Sequence, residues 1–198
     1  MNGRDAAARY EVLGIRDRPY FPYESRSYNK VLVVMDVQNI IARMNRDYPG
    51  RDLDYRKLLI DVVGSRDCVA AIAIDGSYSD DEERHTRIQC AISDSGFRVE
   101  VVHATNNYGK QDGTDVKLAL TAFKYVFARK CDRVVLITGD GDFSVLVDEL
   151  HEQGAVVEVV SFDESLSNCL KRKADRVSII DDMPLARMKP VEDEEASL

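Results

Sequence analysis

Two apolar runs that each lead into an aspartate constrain this chain more than any other feature. Val31–Met35 runs directly into Asp36, and Val134–Ile137 leads through a short turn to Asp140. Such uninterrupted apolar runs predict strands that are buried on both faces, as in a parallel sheet. Because the carboxyl ends of parallel strands meet at one edge of the sheet, we expect Asp36 and Asp140 to lie at the same edge.

The rest of the chain alternates between strand and helix patterns. Five strands are predicted, at 31–36, 69–74, 97–102, 133–138 and 156–161, and 177–180 could add a short sixth. Helical patterns lie between them, at 38–46, after Asp54, at 79–95, after Gly113, at 143–150 and at 164–172. This alternation predicts an α/β fold with three layers, in which a Rossmann-like parallel sheet carries helices on both faces.

The helix after Gly113 has the strongest pattern. We expect Thr114 to cap its amino end, because a threonine side chain can accept a hydrogen bond from the first turn. Its apolar residues recur at helical spacing and predict one buried face: Val116, Ala119, Leu120, Phe123 and Phe127.

Three segments differ in composition. Residues 1–29 form an aromatic and basic arm, residues 30–182 form the α/β domain, and residues 183–198 are an acidic tail that we expect to be disordered. The arm is open to two interpretations. Its aromatic residues could pack on the domain or on a partner subunit of a homo-oligomer, or they could stack on the bases of a single-stranded nucleic acid.

The net charge of −8 argues against a protein that coats nucleic acid through a general basic field. The four cysteines are far apart in the sequence, which predicts reduced thiols in the core of a cytoplasmic protein. No signal peptide is visible, and no apolar run approaches membrane-spanning length, so we expect no membrane association.

Four aspartates converge on one edge of the predicted sheet: Asp36, Asp115, Asp140 and Asp142. Each alone has an ordinary structural explanation as a helix cap or a first-turn acid, and Asn39 alone could be a helix-start amide. Together, carboxylates in one cleft repel each other unless a cation compensates. Oxygen ligands without histidine or cysteine favour Mg²⁺ or Mn²⁺, and such an ion with an activated water suits phosphodiester hydrolysis.

Three ordered motifs resemble one known family. They are D-V-Q-N at 36–39, K-Q-D-G-T-D-V-K-L-A-L at 110–120 and T-G-D-G-D-F-S-V-L at 138–146, with a further similar run at 165–177. The combination resembles the NYN domain, in its LabA-like branch, which belongs to the PIN-like superfamily of metal-dependent nucleases. The resemblance implies a PIN-like sheet in the order 3-2-1-4-5 and metal-dependent cleavage of RNA, single-stranded RNA above all.

The resemblance also implies roles for individual residues. Asp36, Asp115, Asp140 and Asp142 would bind the metal directly or through water and act in catalysis with Asn39, which would orient a metal-bound water or a phosphate. Thr138 and Lys110 would contact the substrate. His103 is a further candidate for substrate contact by its position alone, because it follows the third strand at the same edge of the sheet. This chain departs from the family pattern at Asp112, where the family often has lysine, and at Thr121, where it often has aspartate.

Rival functions remain open at this point. A haloacid-dehalogenase-like phosphatase needs a second acid two residues after Asp36, and Gln38 occupies that position. A PIN-like module that binds RNA or a protein partner without cutting would account for the changes at Asp112 and Thr121. A Rossmann dinucleotide site is weaker, because no G-x-G-x-x-G follows the first strand.

Overall fold

The computed structural model describes residues 29–76, 82–103 and 113–183, together with the backbone of 188–190. In these residues the chain builds one six-stranded, wholly parallel sheet. Its strands are β1 (Lys30–Asp36), β2 (Asp67–Gly76), β3 (Arg98–Val102), β4 (Arg133–Ile137), β5 (Val156–Ser161) and β6 (Arg176–Ile179). The helices are α1 (Val37–Asp47), α2 (Tyr55–Val63), α3 (Glu82–Asp94), α4 (Thr114–Phe127), α5 (Ser144–Glu152) and α6 (Asn168–Lys173).

The strands lie side by side in the order β3-β2-β1-β4-β5-β6. The predicted order 3-2-1-4-5 was incomplete, because Arg176–Ile179 pairs with β5 as a sixth parallel strand. The chain first builds outward from β1 through β2 to β3 and then returns to place β4 on the other side of β1. The sheet therefore changes direction between β1 and β4, and a crevice at such a point is where α/β folds bind ligands.

Strand β1 is buried on both faces, which explains its uninterrupted apolar sequence. Val31, Val33 and Met35 pack on one face with residues of α1, α2 and α3. Leu32 and Val34 pack on the other face with residues of α4, α5 and α6. The predicted α/β architecture with helices on both faces is confirmed.

Helix α4 buries a different face from the one that its sequence predicts. Leu118, Ala122 and Val126 face the sheet, whereas Leu120 is 62% exposed and Phe127 is 67% exposed. The helix carries two apolar stripes, and the spacing within the helix cannot tell which of them the sheet will cover. Its amino end was also predicted wrongly, because Gly113 is the cap residue and contributes no side-chain hydrogen bond.

Two further expectations differ from the structure. The short strand Arg51–Leu53 pairs with Met188–Pro190 in a separate antiparallel sheet, so part of the segment 183–198 is ordered as a strand. Of the four cysteines, which are all free, only Cys131 is buried. The expectation of core thiols was therefore wrong for the other three, because Cys68 lies at the exposed amino end of β2, and Cys90 and Cys169 lie at exposed positions of α3 and α6. The aromatic arm (residues 1–28) lies outside the described residues.

Candidate functional site

Asp36 occupies the centre of the crevice between β1 and β4. It is the last residue of β1 and the cap residue of α1, and its Oδ1 accepts the Asn39 N–H at 3.1 Å. Its side chain lies mostly within the protein, since only 9% of the residue is exposed. A carboxylate that ends a buried strand and caps the next helix has little freedom to move, so its position is set by the fold.

Thr138 and Asn39 join the two strands that meet at this point. The Thr138 hydroxyl donates to Oδ2 of Asp36 at 3.2 Å, and its oxygen accepts the Asp140 N–H at 3.2 Å. The side-chain oxygen of Asn39 accepts the Gly139 N–H at 2.9 Å. Thr138 thus links Asp36 to Asp140, and Asn39 keeps only its amide N–H groups for the predicted contact with a water or a phosphate.

The Gly-Asp-Gly-Asp sequence forms a tight turn after β4. Gly141–Phe143 is a single turn of 3₁₀ helix, and its cap is Asp140, whose Oδ1 accepts the Asp142 N–H at 3.0 Å. The sequence allowed Asp142 to cap the helix that begins at Phe143, but in the structure its backbone N–H donates this hydrogen bond to Asp140. Phe143 is buried, whereas the Asp142 side chain is exposed and reaches solvent in front of the turn.

Gly139 must be glycine for this turn to form. A Cβ atom at this position would lie 2.2 Å from the backbone oxygen of Ser165 and 2.7 Å from Oγ of Ser161. The segment around Ser165 packs directly behind the turn, and the Ser167 N–H donates to the Gly139 oxygen at 3.0 Å. These serines support the acidic turn, but the sequence analysis did not select them. The S-L-S run before α6 was the available signal, since Ser167 caps that helix.

Asp115 completes the group from a third part of the chain. It lies in the first turn of α4, and its side chain is exposed at the carboxyl edge of the sheet. The side chain is still partly shielded from water, and this partial burial is the largest cause of its raised pKa. The charges of Asp140 and Asp142 raise the pKa of Asp115 as well. The four predicted acids therefore interact electrostatically, although they come from three separate segments.

The electrostatic strain is greatest at Asp36. Burial raises the pKa of Asp36 from 3.8 to about 6, against the lowering effect of the hydrogen bonds from Asn39 and Thr138. The charges of Asp115 and Asp140 contribute to the same rise. The charges that contribute most to the raised pKa values of Asp36 and Asp115 are all negative. A site of this kind favours either a proton or a cation.

The arrangement suits a weakly coordinated hard cation better than a preformed metal cage. Within 29–76, 82–103 and 113–183, no group of three or more acids, histidines or cysteines stands close enough to hold a metal ion directly. Mg²⁺ is commonly bound through one or two carboxylates and keeps several of its waters. The all-oxygen donor set of Asp36, Asp115, Asp140 and Asp142 fits such an ion.

Of the remaining residues singled out in the sequence, the two that the structure describes, His103 and Thr121, are not brought into this group. His103 follows β3, which is separated from β1 by β2, so it lies at the same edge but about 10 Å to one side. Lys110 and Asp112 lie outside the described residues. Thr121 is only 8% exposed and lies about 9 Å along α4 from Asp115, on a different side of the helix. Their predicted roles stay predictions.

A third aspartate at the end of a strand, Asp75, faces away from the crevice. It is fully buried at the end of β2, where its carboxylate accepts the Gly76 N–H at 2.9 Å and the side-chain N–H of Gln89 at 2.8 Å. Its partners lie on its own strand and on α3. Position at the carboxyl edge alone therefore does not bring an acid into the group.

The comparisons with known proteins concern the fold and the family of the chain. None of the curated proteins compared with the chain matches it. Five chains of known structure match it. One of these is the crystal structure of a protein of unknown function from Vibrio parahaemolyticus RIMD 2210633, with 26% sequence identity and a TM-score of 0.70. That match covers 81% of this chain and 98% of the other.

The sequence also matches the family model of the NYN domain over residues 30–181. This range includes all six strands of the central sheet and all four acids of the site. The chain belongs to the NYN domain family, which has the PIN-like nuclease type of fold.

Proposed function

We propose that this chain is a metal-dependent ribonuclease of the LabA-like branch, which hydrolyses phosphodiester bonds of single-stranded RNA in the cytoplasm. The observation that carries the proposal is the convergence of Asp36, Asp115, Asp140 and Asp142 at the β1–β4 crevice. The charges of Asp115 and Asp140 help to raise the pKa of Asp36, and those of Asp140 and Asp142 help to raise the pKa of Asp115. Clustered acids are common where a protein binds a cation or transfers protons.

The four aspartates would hold Mg²⁺ or Mn²⁺ directly or through water. A bound divalent ion would neutralise the phosphate charge and lower the pKa of a water held on it. Asp36 is the best-placed anchor, because Asn39 and Thr138 fix both of its carboxylate oxygens. Asp142 is the most solvent-exposed of the acids on the turn, so it is the one that would meet an incoming water or substrate first.

The protein's own hydrogen bonds keep these acids in place without the ion. Thr138 couples Asp36 to the backbone of Asp140, and Asn39 couples α1 to the backbone of Gly139. A substrate phosphate at the crevice would approach the amide N–H groups of Asn39. Prepositioned groups of this kind need little rearrangement during the reaction.

A divalent-ion screen tests the proposal. Adding Mg²⁺ or Mn²⁺ at about one hundred times its dissociation constant should stabilise the chain by about 2.7 kcal/mol. Short labelled single-stranded RNA should be cleaved in the presence of the ion. Asp140→Asn should abolish cleavage and leave the metal-free melting temperature within a few degrees of the parent.

Asp94→Asn is the matched control, because Asp94 is an exposed aspartate at the last position of α3, outside the crevice. It should leave both cleavage and metal stabilisation unchanged. Cleavage that survives Asp140→Asn at the parental rate would refute the proposed site.

A PIN-like module that binds RNA or a protein partner without cutting is the second candidate. It is favoured by the lack of a preformed three-ligand metal group among the described acids. Stabilisation by the ion without cleavage of any RNA or DNA would select this alternative. A dehalogenase-type phosphatase is disfavoured, since Gln38 cannot act as the required acid and base and the chain belongs to a different family.

A further inference from the structure

An apolar groove runs along the outer surface between α4 and α5. Its volume is about 380 Å³, and apolar side chains of both helices line almost all of it, Val116, Leu120 and Phe123 from α4 and Val145 and Leu146 from α5. Val116, Leu120 and Val145 are each more than 60% exposed. We call this feature the α4–α5 groove.

The groove brings several exposed apolar side chains together on one surface. A contiguous apolar strip that is open to water generally marks a binding surface. Four of its residues, Val116, Ala119, Leu120 and Phe123, belong to the stripe of α4 that the sequence predicted to be buried. Phe127 extends the same stripe to the end of the helix, where it stacks on Phe123 with ring centroids 5.8 Å apart. The stripe of Leu118 packs on the sheet, so the stripe of Leu120 is free to bind a different partner.

The charges at the groove limit the kinds of partner that it can bind. Three carboxylates line the groove, those of Asp115, Asp142 and Glu149, and no lysine or arginine does so among the described residues. A nucleic acid backbone would be repelled by these carboxylates unless metal ions intervened. A peptide with aromatic and basic side chains would fill the apolar floor and pair with the acids at its margin.

The aromatic arm of this chain has that composition. Tyr20, Phe21 and Tyr23 follow Arg16 and Arg18 within eight residues. In residues 16–28 three arginines stand against two acids. The arm therefore supplies both the aromatic rings for the floor and the positive charges for the margin.

The arm also joins the domain beside the connection that follows the carboxyl end of α4. The first described residue, Asn29, accepts the Asp67 N–H, and the next, Lys30, accepts the Asp132 N–H in the connection that follows α4. The six residue steps from Tyr23 to Asn29 can span about 20 Å. The 14 residues of α4 cover about 21 Å. Tyr23 and the residues before it can thus reach the groove without leaving their own chain.

We propose that residues 16–28 dock into the α4–α5 groove of the same chain, with their aromatic rings against Leu120 and Phe123 and their arginines beside Asp115, Asp142 or Glu149. The docked arm lies next to the acid group of the crevice, because Asp115 and Asp142 belong to both. The proposal concerns the interaction surface alone and holds whether or not the crevice cleaves RNA.

Photo-crosslinking in the full chain tests the proposal without metal or RNA. With Phe21→benzoylphenylalanine, irradiation should join the arm to peptides from 114–127 or 143–152 in a species with the mass of one chain. Leu120→Gln should lower the crosslink yield at least fivefold, because it places an amide on the groove floor. Leu120 is mostly exposed, so this variant should fold, which an unchanged melting temperature will verify.

Ile60→Gln is the matched control, since Ile60 is a 54% exposed residue on α2, on the other face of the sheet. It should leave the crosslink yield unchanged. Crosslinks to other segments, or an undiminished yield in Leu120→Gln, would overturn the docking site. Crosslinks that join two chains would assign the groove to the arm of a second copy and overturn docking within one chain.

Discussion

Replacement of the central acid by its neutral isostere, Asp36→Asn, should stabilise the metal-free protein at neutral pH. The folded-state pKa of about 6 lies about two units above the ordinary value of 3.8. Each unit corresponds to about 1.36 kcal/mol, so ionised Asp36 costs the fold about 3 kcal/mol at pH 7. Asparagine has the same shape and carries no charge.

Part of this gain is offset by weaker hydrogen bonds. The carboxylate of Asp36 accepts from the Asn39 N–H and the Thr138 hydroxyl, and a neutral amide accepts less strongly. Taking about 1 kcal/mol for that loss leaves a net stabilisation of about 2 kcal/mol. For a chain of this size the melting temperature should rise by about 4–8 °C.

The pH dependence has a definite sign. Because the folded protein holds the Asp36 proton more tightly than the unfolded chain, this group removes stability as pH rises from about 4 to about 6, and the full cost remains above that range. The parent and Asp36→Asn should therefore differ most at pH 7 and converge near pH 4. Thermal unfolding in a chelating buffer, followed from pH 4 to pH 8, measures this difference.

The metal provides the complementary test. Adding Mg²⁺ should stabilise the parent at pH 7 and should stabilise Asp36→Asn far less, because the ion binds the ionised carboxylate. If Asp36→Asn were less stable than the parent at pH 7 without metal, with no convergence toward pH 4, the explanation of the raised pKa by burial would be wrong.

Other substitutions test the supports of the site and the core. Gly139→Ala should destabilise the fold by about 3 kcal/mol, because the new Cβ would lie 2.2 Å from the backbone oxygen of Ser165. A urea unfolding curve identical to that of the parent would contradict this close packing. Glu158→Gln should lower the free energy of unfolding by about 3–5 kcal/mol, because it leaves the partly buried Arg66 and Arg133 without their carboxylate. Glu100→Gln is the control, since its ion pairs are more exposed, and it should change stability by less than about 1 kcal/mol. Equal losses in the two variants would refute the role of burial. Thr138→Val should raise the pKa of Asp36 further and lower the free energy of unfolding by about 1–3 kcal/mol, as measured by thermal unfolding. Thr138→Ser keeps the hydroxyl and should restore both the pKa and the stability. If serine restores neither, the hydroxyl is not the relevant group.

No membrane-crossing helix was expected, and none of the described helices is long and apolar enough for one. The cytoplasmic location, the RNA substrate and a homo-oligomeric state remain proposals. They depend on binding events and surroundings, which the fold of one chain does not encode.

The sequence by itself determined the layers of the fold and one edge of the sheet. The apolar run of β1 required burial on both faces, and this requirement led to a parallel sheet and to the shared edge of Asp36 and Asp140. The sequence also predicted part of the helix capping, because capping is a local interaction. Asp36 and Asp54 do cap their helices, because the hydrogen bond involves residues only three positions apart.

Only the tertiary structure decided which of several equivalent local choices was used. Helix α4 offered two apolar stripes, and the stripe of Leu118 packs on the sheet whereas that of Leu120 is exposed. Asp75 ends its strand as Asp36 does, yet it turns to α3 because Gln89 lies there. The contacts of Thr138, Asn39 and Gly139 join residues about one hundred positions apart. Side-chain direction and long-range packing of this kind arise when the whole chain has folded, so no local pattern can specify them.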